Sequence, residues 1–474
     1  MSPVFDGKKY RALQESLETN EERLSQLDES LRIDSAFYTK DNEVKRVLNK
    51  PHTFFKNEII KACKGIFDIK ADSYCTSGIP FVRIANLKNM QIDTSDMAYI
   101  PAGIHQAYES SSLSYGDIVL SKTAIPAASV VSIPECNTSQ DIIAIRLKKD
   151  ASIQSFFTVV YLNTWYGLAF MEKLFTGNIQ KHFNLSDCKE KLPVPVFSVS
   201  FQRQIGSLLE KSIVCRKKAE ETYLLSEKRL LQELGLTDWH PVDESIAEKT
   251  YADFQESGRL DAEFFQPKYR EIIRKLKQYK HGTVSCETVL KDAMTRLNQE
   301  TEYCYIELAD IGKNGEIKSC TRAPAEKLPS RARQRVKAND VIISSVEGSL
   351  SSCALVTEEY NNALCSTGFH VLRSSEINPE TLLLLMKSWP VQALLKQGCS
   401  GTILTAILPD ALKQINIPKI RYDVQQQLAA NIKKSFALRK ESNRMTDIAK
   451  RAVEVAIEQN EKAAMKLLED GHNV

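Results

Sequence analysis

The spacing of hydrophobic and polar positions divides the chain into short β-rich runs and much longer helical stretches. Runs rich in β-branched residues predict strands at Phe81–Leu87, Asp117–Ser121, Ile142–Leu147, Val341–Ser345 and Phe369–Leu372. Apolar stretches at Ile153–Phe175 and Pro379–Lys396 predict helical segments. From Phe201 to Leu236, and again from Val424 to about Leu468, apolar residues recur every three or four positions between charged ones. This spacing predicts two long amphipathic helices.

The whole pattern occurs twice, at an offset of 223 to 227 residues. Six blocks repeat in the same order, which indicates a tandem duplication of a domain together with its connecting helix. The paired blocks are Arg32–Tyr38 with Arg259–Phe265, Phe81–Leu87 with Tyr305–Ile311, Gly116–Ser121 with Asn339–Ser344, Thr176–Ile179 with Ser400–Ile403, Leu185–Asp187 with Leu408–Asp410, and Pro195, Gln202 and Gln204 with Pro418, Gln425 and Gln427.

Each long helix needs a partner for its apolar stripe. A helix of about 35 residues is roughly 50 Å long and is marginal on its own in water. The other long helix is the obvious partner, which predicts an antiparallel pair between two globular modules. The alternative is that each helix folds back on its own domain.

The composition is that of ordinary globular protein. Of the 474 residues, 43% are hydrophobic, and 63 are Lys or Arg against 60 Asp or Glu. The length suggests two to four domains. A net charge of +3 means that any nucleic-acid binding must use local positive charge. No apolar run reaches the roughly 20 residues of a membrane span, and MSPVFDGKKY has no apolar signal core, so we expect a cytoplasmic protein.

Catalytic and metal-binding signatures are not found in the sequence. The 11 Cys are scattered without C-x-x-C spacing, so we expect buried free thiols and neither a disulfide framework nor a zinc site. The seven His are isolated, and no phosphate-binding loop, nucleophile elbow, dinucleotide fingerprint, adenine-methylation tetrapeptide or nuclease triad occurs. We therefore predict no catalytic residue and no metal ligand, with an enzyme of unrecognised type as an open alternative.

Taken in order, the blocks resemble the specificity (S) subunit of type I restriction-modification systems. In the first half, the resemblance rests on Gly78–Leu87, on the Gly116–Ser121 strand, and on the run from Gly177 through Pro195 to Gln204. The second half repeats the pattern without the Gly-Ile-Pro lead. The first half has Thr123–Pro126 where a glycine turn like Glu347-Gly348 would be expected. These departures affect the loops, and hence the choice of target, more than the family.

The resemblance implies an α+β fold with two similar mixed α/β target-recognition domains. They would be related by pseudo-twofold symmetry and joined by two long antiparallel, coiled-coil spacer helices. The implied division is an N-terminal helical segment at 1–31, target-recognition domain 1 at 32–200, a central spacer helix and linker at 201–258, target-recognition domain 2 at 259–422 and a C-terminal spacer helix at 423–474.

The function implied by the resemblance is recognition without catalysis. Such a subunit binds a bipartite site in double-stranded DNA and directs DNA methyltransferase (modification) subunits, expected to number two, and a restriction (translocase and endonuclease) subunit. No cofactor would be bound by this chain, whereas S-adenosylmethionine, ATP and Mg would serve the partner subunits. The alternative is a non-catalytic protein-binding scaffold with two β-rich modules on a coiled-coil strut.

Loop residues are the candidates for contact with DNA, because a rigid scaffold commonly presents its binding residues on loops. Asn and Gln can pair bidentately with adenine, and Lys with guanine. For each candidate, the alternative is an ordinary solvated loop residue. The candidates are Asn86, Lys88, Asn89, Lys122, Thr123, Asn178, Gln180, Lys181 and His182 in the first half, and Lys313, Asn314, Ser345, Glu347, Thr402 and Thr405 in the second.

Overall fold

The computed structural model describes residues 41–472 except 68, 124, 178–180, 243, 245 and 402–404. The predicted helical segment at 1–31 lies outside the described residues. Within them, the helices are α1 Asp41–Leu48, α2 Phe55–Glu58, α3 Ala102–Ala107, α4 Ser155–Leu162, α5 Trp165–Leu174, α6 Leu185–Lys191, α7 Val199–Glu233, α8 Tyr251–Ser257, α9 Pro267–Lys277, α10 Cys286–Val289, α11 Pro379–Lys387, α12 Trp389–Gly398, α13 Pro409–Lys413, α14 Tyr422–Glu458 and α15 Glu461–His472.

Short strands fill the intervals between the helices. They are β1 His52–Phe54, β2 Ile59–Lys64, β3 Ile79–Val82, β4 Leu87–Lys88, β5 Gln91–Ile92, β6 Ala98–Ile100, β7 Leu113–Ser114, β8 Ile118–Ser121, β9 Ala128–Val130, β10 Glu135–Thr138, β11 Ile142–Leu147, β12 Phe175–Thr176, β13 His182–Phe183, β14 Pro193–Pro195, β15 Thr283–Ser285, β16 Leu290–Lys291, β17 Glu302–Ile306, β18 Thr321–Pro324, β19 Ala332–Arg335, β20 Val341–Ser344, β21 Cys353–Leu355, β22 Leu364–Ser366, β23 Phe369–Leu372, β24 Cys399–Ser400, β25 Ala406–Ile407 and β26 Asn416–Pro418.

The chain divides into two compact units, and each long helix contributes to both. The first unit comprises the described residues up to Cys215 and those from Lys440 onward, and the second is Arg216–Arg439. By contact, each unit includes part of α7 and part of α14. The division into recognition domains and spacer helices at 200/201 and 422/423 stays a prediction.

The first unit is built on two sheets. One has the strand order β2-β11-β8-β9-β5-β4, and the other has the order β6-β3-β10-β7. The pairs β1-β14 and β12-β13 complete the unit. Within the second sheet, β3 and β10 are parallel, whereas β3-β6 and β10-β7 are antiparallel.

The second unit repeats this topology. Its sheets have the orders β16-β23-β20-β21 and β18-β17-β22-β19, with the pairs β15-β26 and β24-β25. The parallel pair recurs as β17 with β22. The β4-β5 hairpin is reduced to one bridge between Ile311 and Ile317. The prediction of two similar mixed α/β domains is confirmed, and pseudo-twofold symmetry stays a prediction.

Within each unit, the apolar stripes of α7 and α14 join the core. Leu209 and Val453 belong to one buried cluster of the first unit, and Leu230 and Leu428 belong to one of the second. Polar contacts give the direction of the helices. The hydroxyls of Ser212 and Ser442 lie 2.8 Å apart, and Ser435 Oγ donates to the carbonyl of Ala219 at 2.7 Å. Because the position on α14 falls as that on α7 rises, the helices run antiparallel, as predicted.

Several elements end earlier than the sequence pattern predicts, because polar residues interrupt it. The stretch Ile153–Phe175 forms two helices, and the hydroxyl of Thr164 caps the second by accepting from Gly167 N at 3.3 Å. Pro379–Lys396 also forms two, broken at Ser388. The predicted strand Phe81–Leu87 ends at Val82 and continues as a 3-10 turn over Ile84–Asn86.

The cysteines differ from expectation at one pair. Cys304 on β17 and Cys320 just before β18 are joined by a disulfide, which their scattered positions in the sequence did not indicate. Cys63, Cys75 and Cys215 are half-buried free thiols. The predicted buried free thiols are found at Cys136, Cys188, Cys286, Cys353, Cys365 and Cys399.

A buried glutamine attaches the start of each long helix to its unit. In α7, Gln202 accepts from Gln154 N at 2.9 Å and donates to the carbonyls of Ser152 and Phe197, each at 2.9 Å. In α14, Gln425 accepts from Asn378 N at 2.7 Å and donates to the carbonyls of Glu376 and Ile420 at 3.0 and 2.8 Å. The repeated glutamine therefore pairs three backbone groups that no helix or strand satisfies.

We predict that Gln202→Ala lowers the free energy of unfolding by about 2 kcal/mol, because a buried amide N–H and two carbonyls lose their partner. Urea unfolding followed by circular dichroism measures the change. Gln204→Ala is the matched control, since Gln204 lies two residues further along α7 with its side chain exposed. Equal stability of the two variants would contradict the role assigned to Gln202.

Candidate nucleic-acid interface

The first unit brings two of the predicted loops together. Residues 122–127 follow the central strand β8, and residues 177–181 connect β12 to β13; we call these the first loop pair. Phe183 N donates to the carbonyl of Lys122 at 2.8 Å, and Thr123 forms a bridge with His182. Lys122 and Thr123, at the start of the first segment, are therefore joined to β13, the strand that follows the second segment.

The second unit repeats this junction. Residues 345–352 follow the central strand β20, and residues 401–405 connect β24 to β25; these are the second loop pair. Ile407 N donates to the carbonyl of Ser345 at 2.8 Å, and Glu347 N donates to the carbonyl of Thr405 at 3.0 Å. Two segments about 50 residues apart in sequence are thus neighbours in both units.

Two side chains that the sequence analysis did not single out hold the β24-β25 hairpin. Arg259 donates to the carbonyl of Cys399 at 2.7 Å and is itself bound by Asp261 at 2.7 Å. His370 Nε2 lies 2.9 Å from the carbonyl of Ile407, and burial lowers the pKa of this imidazole. Arg259 belongs to the repeated Arg-Leu-Asp block, whose first copy lies outside the described residues. The repetition of that block in the sequence is the signal that could have pointed to Arg259.

The turn before each central strand depends on a buried aspartate. Asp117 Oδ2 accepts from Ser114 N at 2.8 Å, and Asp117 Oδ1 accepts from Arg146 Nε at 2.8 Å. In the second unit, Asp340 accepts from Lys337 N at 2.8 Å and from Arg373 Nε at 2.6 Å. The residues before these aspartates, Gly116 and Asn339, have φ angles of 89° and 72°. Glycine and asparagine are the residues that tolerate this left-handed conformation best.

Of the candidates near the β4-β5 turn, Asn86 is turned inward. Its Oδ1 accepts from Arg83 N at 2.9 Å, and its Nδ2 donates to the carbonyls of Asp93 and Asp96. Asn86 is 2% exposed, so in this arrangement its amide supports the turn and does not present itself to a base edge. Lys88 is exposed and pairs with Asp93 at 3.0 Å.

Asn89 is exposed at the tip of the same turn, with a φ of 53°. Because β5 runs parallel to β9, with Gln91 opposite Val130, the residues just before β5 lie at the same sheet end as the residues just before β9. The segment 122–127 ends there. Asn89 therefore lies at the sheet end that carries the first loop pair.

The corresponding turn of the second unit packs against the long helices. Asn314 is 1% exposed, and its Nδ2 donates to Glu220 Oε2 of α7 at 2.9 Å. Lys313 Nζ lies 3.9 Å from the same carboxylate, which also pairs with Arg439 of α14. These contacts place Asn314 in a buried polar cluster rather than on a free loop.

The other candidates lie on or beside the two loop pairs. Lys181 is exposed, Lys122 and His182 are half-buried, and Thr123 is buried. Ser345 Oγ donates to the carbonyl of Gly368 at 2.9 Å, while Glu347 and Thr405 are half-buried. Asn178, Gln180 and Thr402 lie outside the described residues.

Neither a metal centre nor a membrane span is found in the part of the chain that the structure describes. Within it, no three His, Cys, Asp or Glu side chains are grouped so that they could hold a metal ion. No helix there combines the length and the apolar character needed to cross a bilayer.

Comparisons with known proteins find similarity only among solved structures. No protein-family model and no curated protein matches the chain. The S subunit of a type I restriction-modification system from M. genitalium is 12% identical and has a TM-score of 0.44; the match covers 89% of this chain and 96% of that one. The HsdS subunit from Thermoanaerobacter tengcongensis is 13% identical with a TM-score of 0.28, covering 86% and 96%.

We predict that Asn314→Ala lowers the free energy of unfolding by about 1–2 kcal/mol, because Glu220 loses a buried hydrogen-bond donor. Lys313→Ala, the matched control at the neighbouring position, should change it by less than about 0.5 kcal/mol, since its ion pair is long and exposed. Thermal unfolding of both variants measures the difference. A larger loss for Lys313→Ala than for Asn314→Ala would contradict the buried placement.

Proposed function

We propose that this chain is the DNA-specificity subunit of a type I restriction-modification complex. The observation that carries the proposal is the duplication: the two units share the order of four strands in each of their sheets, and in both the segment after the central strand is hydrogen-bonded to a later hairpin. The loop sequences differ between the units, whereas the scaffold repeats. This is the arrangement expected of two readers that recognise two different half-sites.

In DNA recognition, different groups supply the affinity and the specificity of binding. Lysine and arginine supply affinity through phosphates, and this part of binding weakens steeply with salt. Specificity comes from side chains that reach base edges in the grooves. Lys88, Asn89, Lys122 and Lys181 are described candidates of the first unit that can take part without breaking a buried hydrogen bond.

The long helices would set the distance between the two half-sites, and separate subunits would carry out the chemistry. Two half-sites on one face of a duplex lie about one helical turn, roughly 34 Å, apart, and the length of α7 and α14 would set that gap. DNA methyltransferase subunits and a restriction subunit would perform the chemistry with S-adenosylmethionine, ATP and Mg. This chain would act in the cytoplasm and select the site.

The first prediction concerns duplex affinity. Lys122→Gln with Lys181→Gln should lower the magnitude of the salt slope, d log K/d log[salt], by about 2, because each phosphate contact contributes about 0.9. Fluorescence anisotropy with a labelled duplex at several salt concentrations measures the slope. Lys56→Gln with Lys149→Gln is the control, since both side chains are exposed and flank the ends of β2 and β11 that pair away from Ser121.

Two results would contradict different parts of this proposal. A wild-type chain whose duplex affinity does not depend on salt would contradict DNA recognition and favour a protein-binding scaffold. Salt-dependent binding with equal slopes for both double variants would contradict only the role of the first loop pair.

The second prediction concerns modular recognition. Exchanging residues 71–190 for the corresponding segment of a related chain with another target should change one half-site of the methylated sequence and leave the other unchanged. Sequencing of methylated bases in DNA from cells that carry the partner subunits reads out both half-sites. A change in both half-sites would refute independent recognition, and identical methylation with and without this chain would refute the proposed function.

A further inference from the structure

Positive charge is concentrated in one segment of the second unit. Residues 318–337 contain seven Lys or Arg and a single acidic residue, Glu326. The segment alone therefore carries a net charge of about +6, although the whole chain carries only +3. Its cations are Lys318, Arg322, Lys327, Arg331, Arg333, Arg335 and Lys337.

The structure exposes most of these cations on and beside two strands of one sheet. The segment includes β18 and β19, which are the outer strands of the sheet β18-β17-β22-β19. All of its cations are exposed except Arg335, whose guanidinium lies over the Tyr303 ring at 5.5 Å. Arg331 pairs with Glu307 at 3.6 Å, and this pair is open to solvent, so its attraction is strongly screened.

A row of backbone hydrogen bonds joins this basic segment to the second loop pair. Thr367 N donates to the carbonyl of Arg331 at 2.9 Å, and Ser345 N donates to the carbonyl of Gly368 at 2.9 Å. Ser345 in turn accepts from Ile407 N in the β24-β25 hairpin. Neighbouring backbones in such a row are about 4.8 Å apart. Arg331 therefore lies within about 15 Å of the hairpin, at the same end of the unit.

The two units place their cations differently. The first loop pair includes Lys122 and Lys181, whereas residues 345–352 and 401–405 contain no Lys or Arg at all. Conversely, residues 95–114, which carry β6 and β7 at the positions of β18 and β19, contain Asp96 and Glu109 and no Lys or Arg. The second unit thus has its positive charge beside its loops, and the first has it on them.

We infer that residues 318–337 form a phosphate-binding surface for double-stranded DNA, which supplies the sequence-independent affinity of the second unit. The inference rests on the proposed function and locates a contact surface outside the loop candidates. A duplex seated against the second loop pair would meet Arg331 and Arg333 at the neighbouring edge. Double-stranded DNA carries one negative charge per about 1.7 Å of its helix axis, so it is the partner that such a density of exposed cations favours.

The test neutralises two adjacent cations in the full chain. Arg331→Gln with Arg333→Gln should reduce the magnitude of the salt slope for duplex binding by about 2 and weaken binding to all duplex sequences by the same factor. Lys277→Gln with Lys280→Gln removes the same charge from exposed positions elsewhere in the second unit and should leave the slope unchanged. Arg331→Lys with Arg333→Lys keeps the charge and should bind like the wild type.

The outcomes distinguish a failure of this inference from a failure of the proposed function. Salt-dependent binding by the wild type with an unchanged slope for Arg331→Gln/Arg333→Gln would overturn this inference and leave the proposed function intact. A wild-type chain that binds no duplex would overturn the proposed function itself. Tighter binding to single-stranded RNA than to duplex, lost in the same variant, would show that the surface serves another nucleic acid and would also overturn the inference.

A second measurement needs no variant. Phenylglyoxal modifies exposed arginines, so duplex DNA should protect Arg331 and Arg333 of the wild-type chain from modification, as read by peptide mass spectrometry. Arg270, which is exposed on α9, should react equally with and without DNA. Equal reactivity of all three arginines in the presence of saturating duplex would overturn the inference even if the substituted chains did not fold.

Discussion

The apolar stripe of α7 has to be buried twice, once in each unit. Leu209 belongs to the core of the first unit and Leu230 to that of the second. A helix of this length is marginal in water, so burial against α14 and the domain cores stabilises it. The buried glutamines Gln202 and Gln425 attach the start of each helix to its unit. The loop pairs depend on this packing, because each lies on a unit whose core includes part of both long helices.

Patterns that recur over many residues could be predicted from the sequence. The repeat at an offset near 223, the central strands β8 and β20 and the two long helices all follow from hydrophobic spacing. Interruptions by single polar residues were harder to predict. Ser388 lies between α11 and α12. Thr164 caps the start of α5, and Asn460 accepts from Ala463 N at 3.0 Å where α15 begins after α14. Such capping depends on the geometry of individual side chains. The spacing of hydrophobic residues carries no information about that geometry.

The candidate site was predictable as a set of loops, but not residue by residue. Asn89 and Asn314 occupy corresponding turns, yet one is exposed and the other donates to Glu220. The difference depends on which residue of the long helix packs against the turn. This can be known only once the fold is known. His370 corresponds to Ile143, since both lie opposite equivalent residues of the central strand. Only the histidine can bond to a hairpin carbonyl, so the second unit holds its hairpin in a way that the first cannot.

Local charge, rather than the total, decides what each unit attracts. Salt screens exposed charges over about 8 Å at physiological ionic strength, so the chain's net +3 has little meaning for a ligand at one surface. In the first unit, Lys122 and Lys181 lie on the same loops that would read bases, so substituting either is expected to alter affinity and discrimination together. In the second unit, the cations lie beside loops that contain none. There, Arg333 on β19 lies in a different sheet from the central strand β20, so substituting it would leave the residues that would select the sequence unchanged.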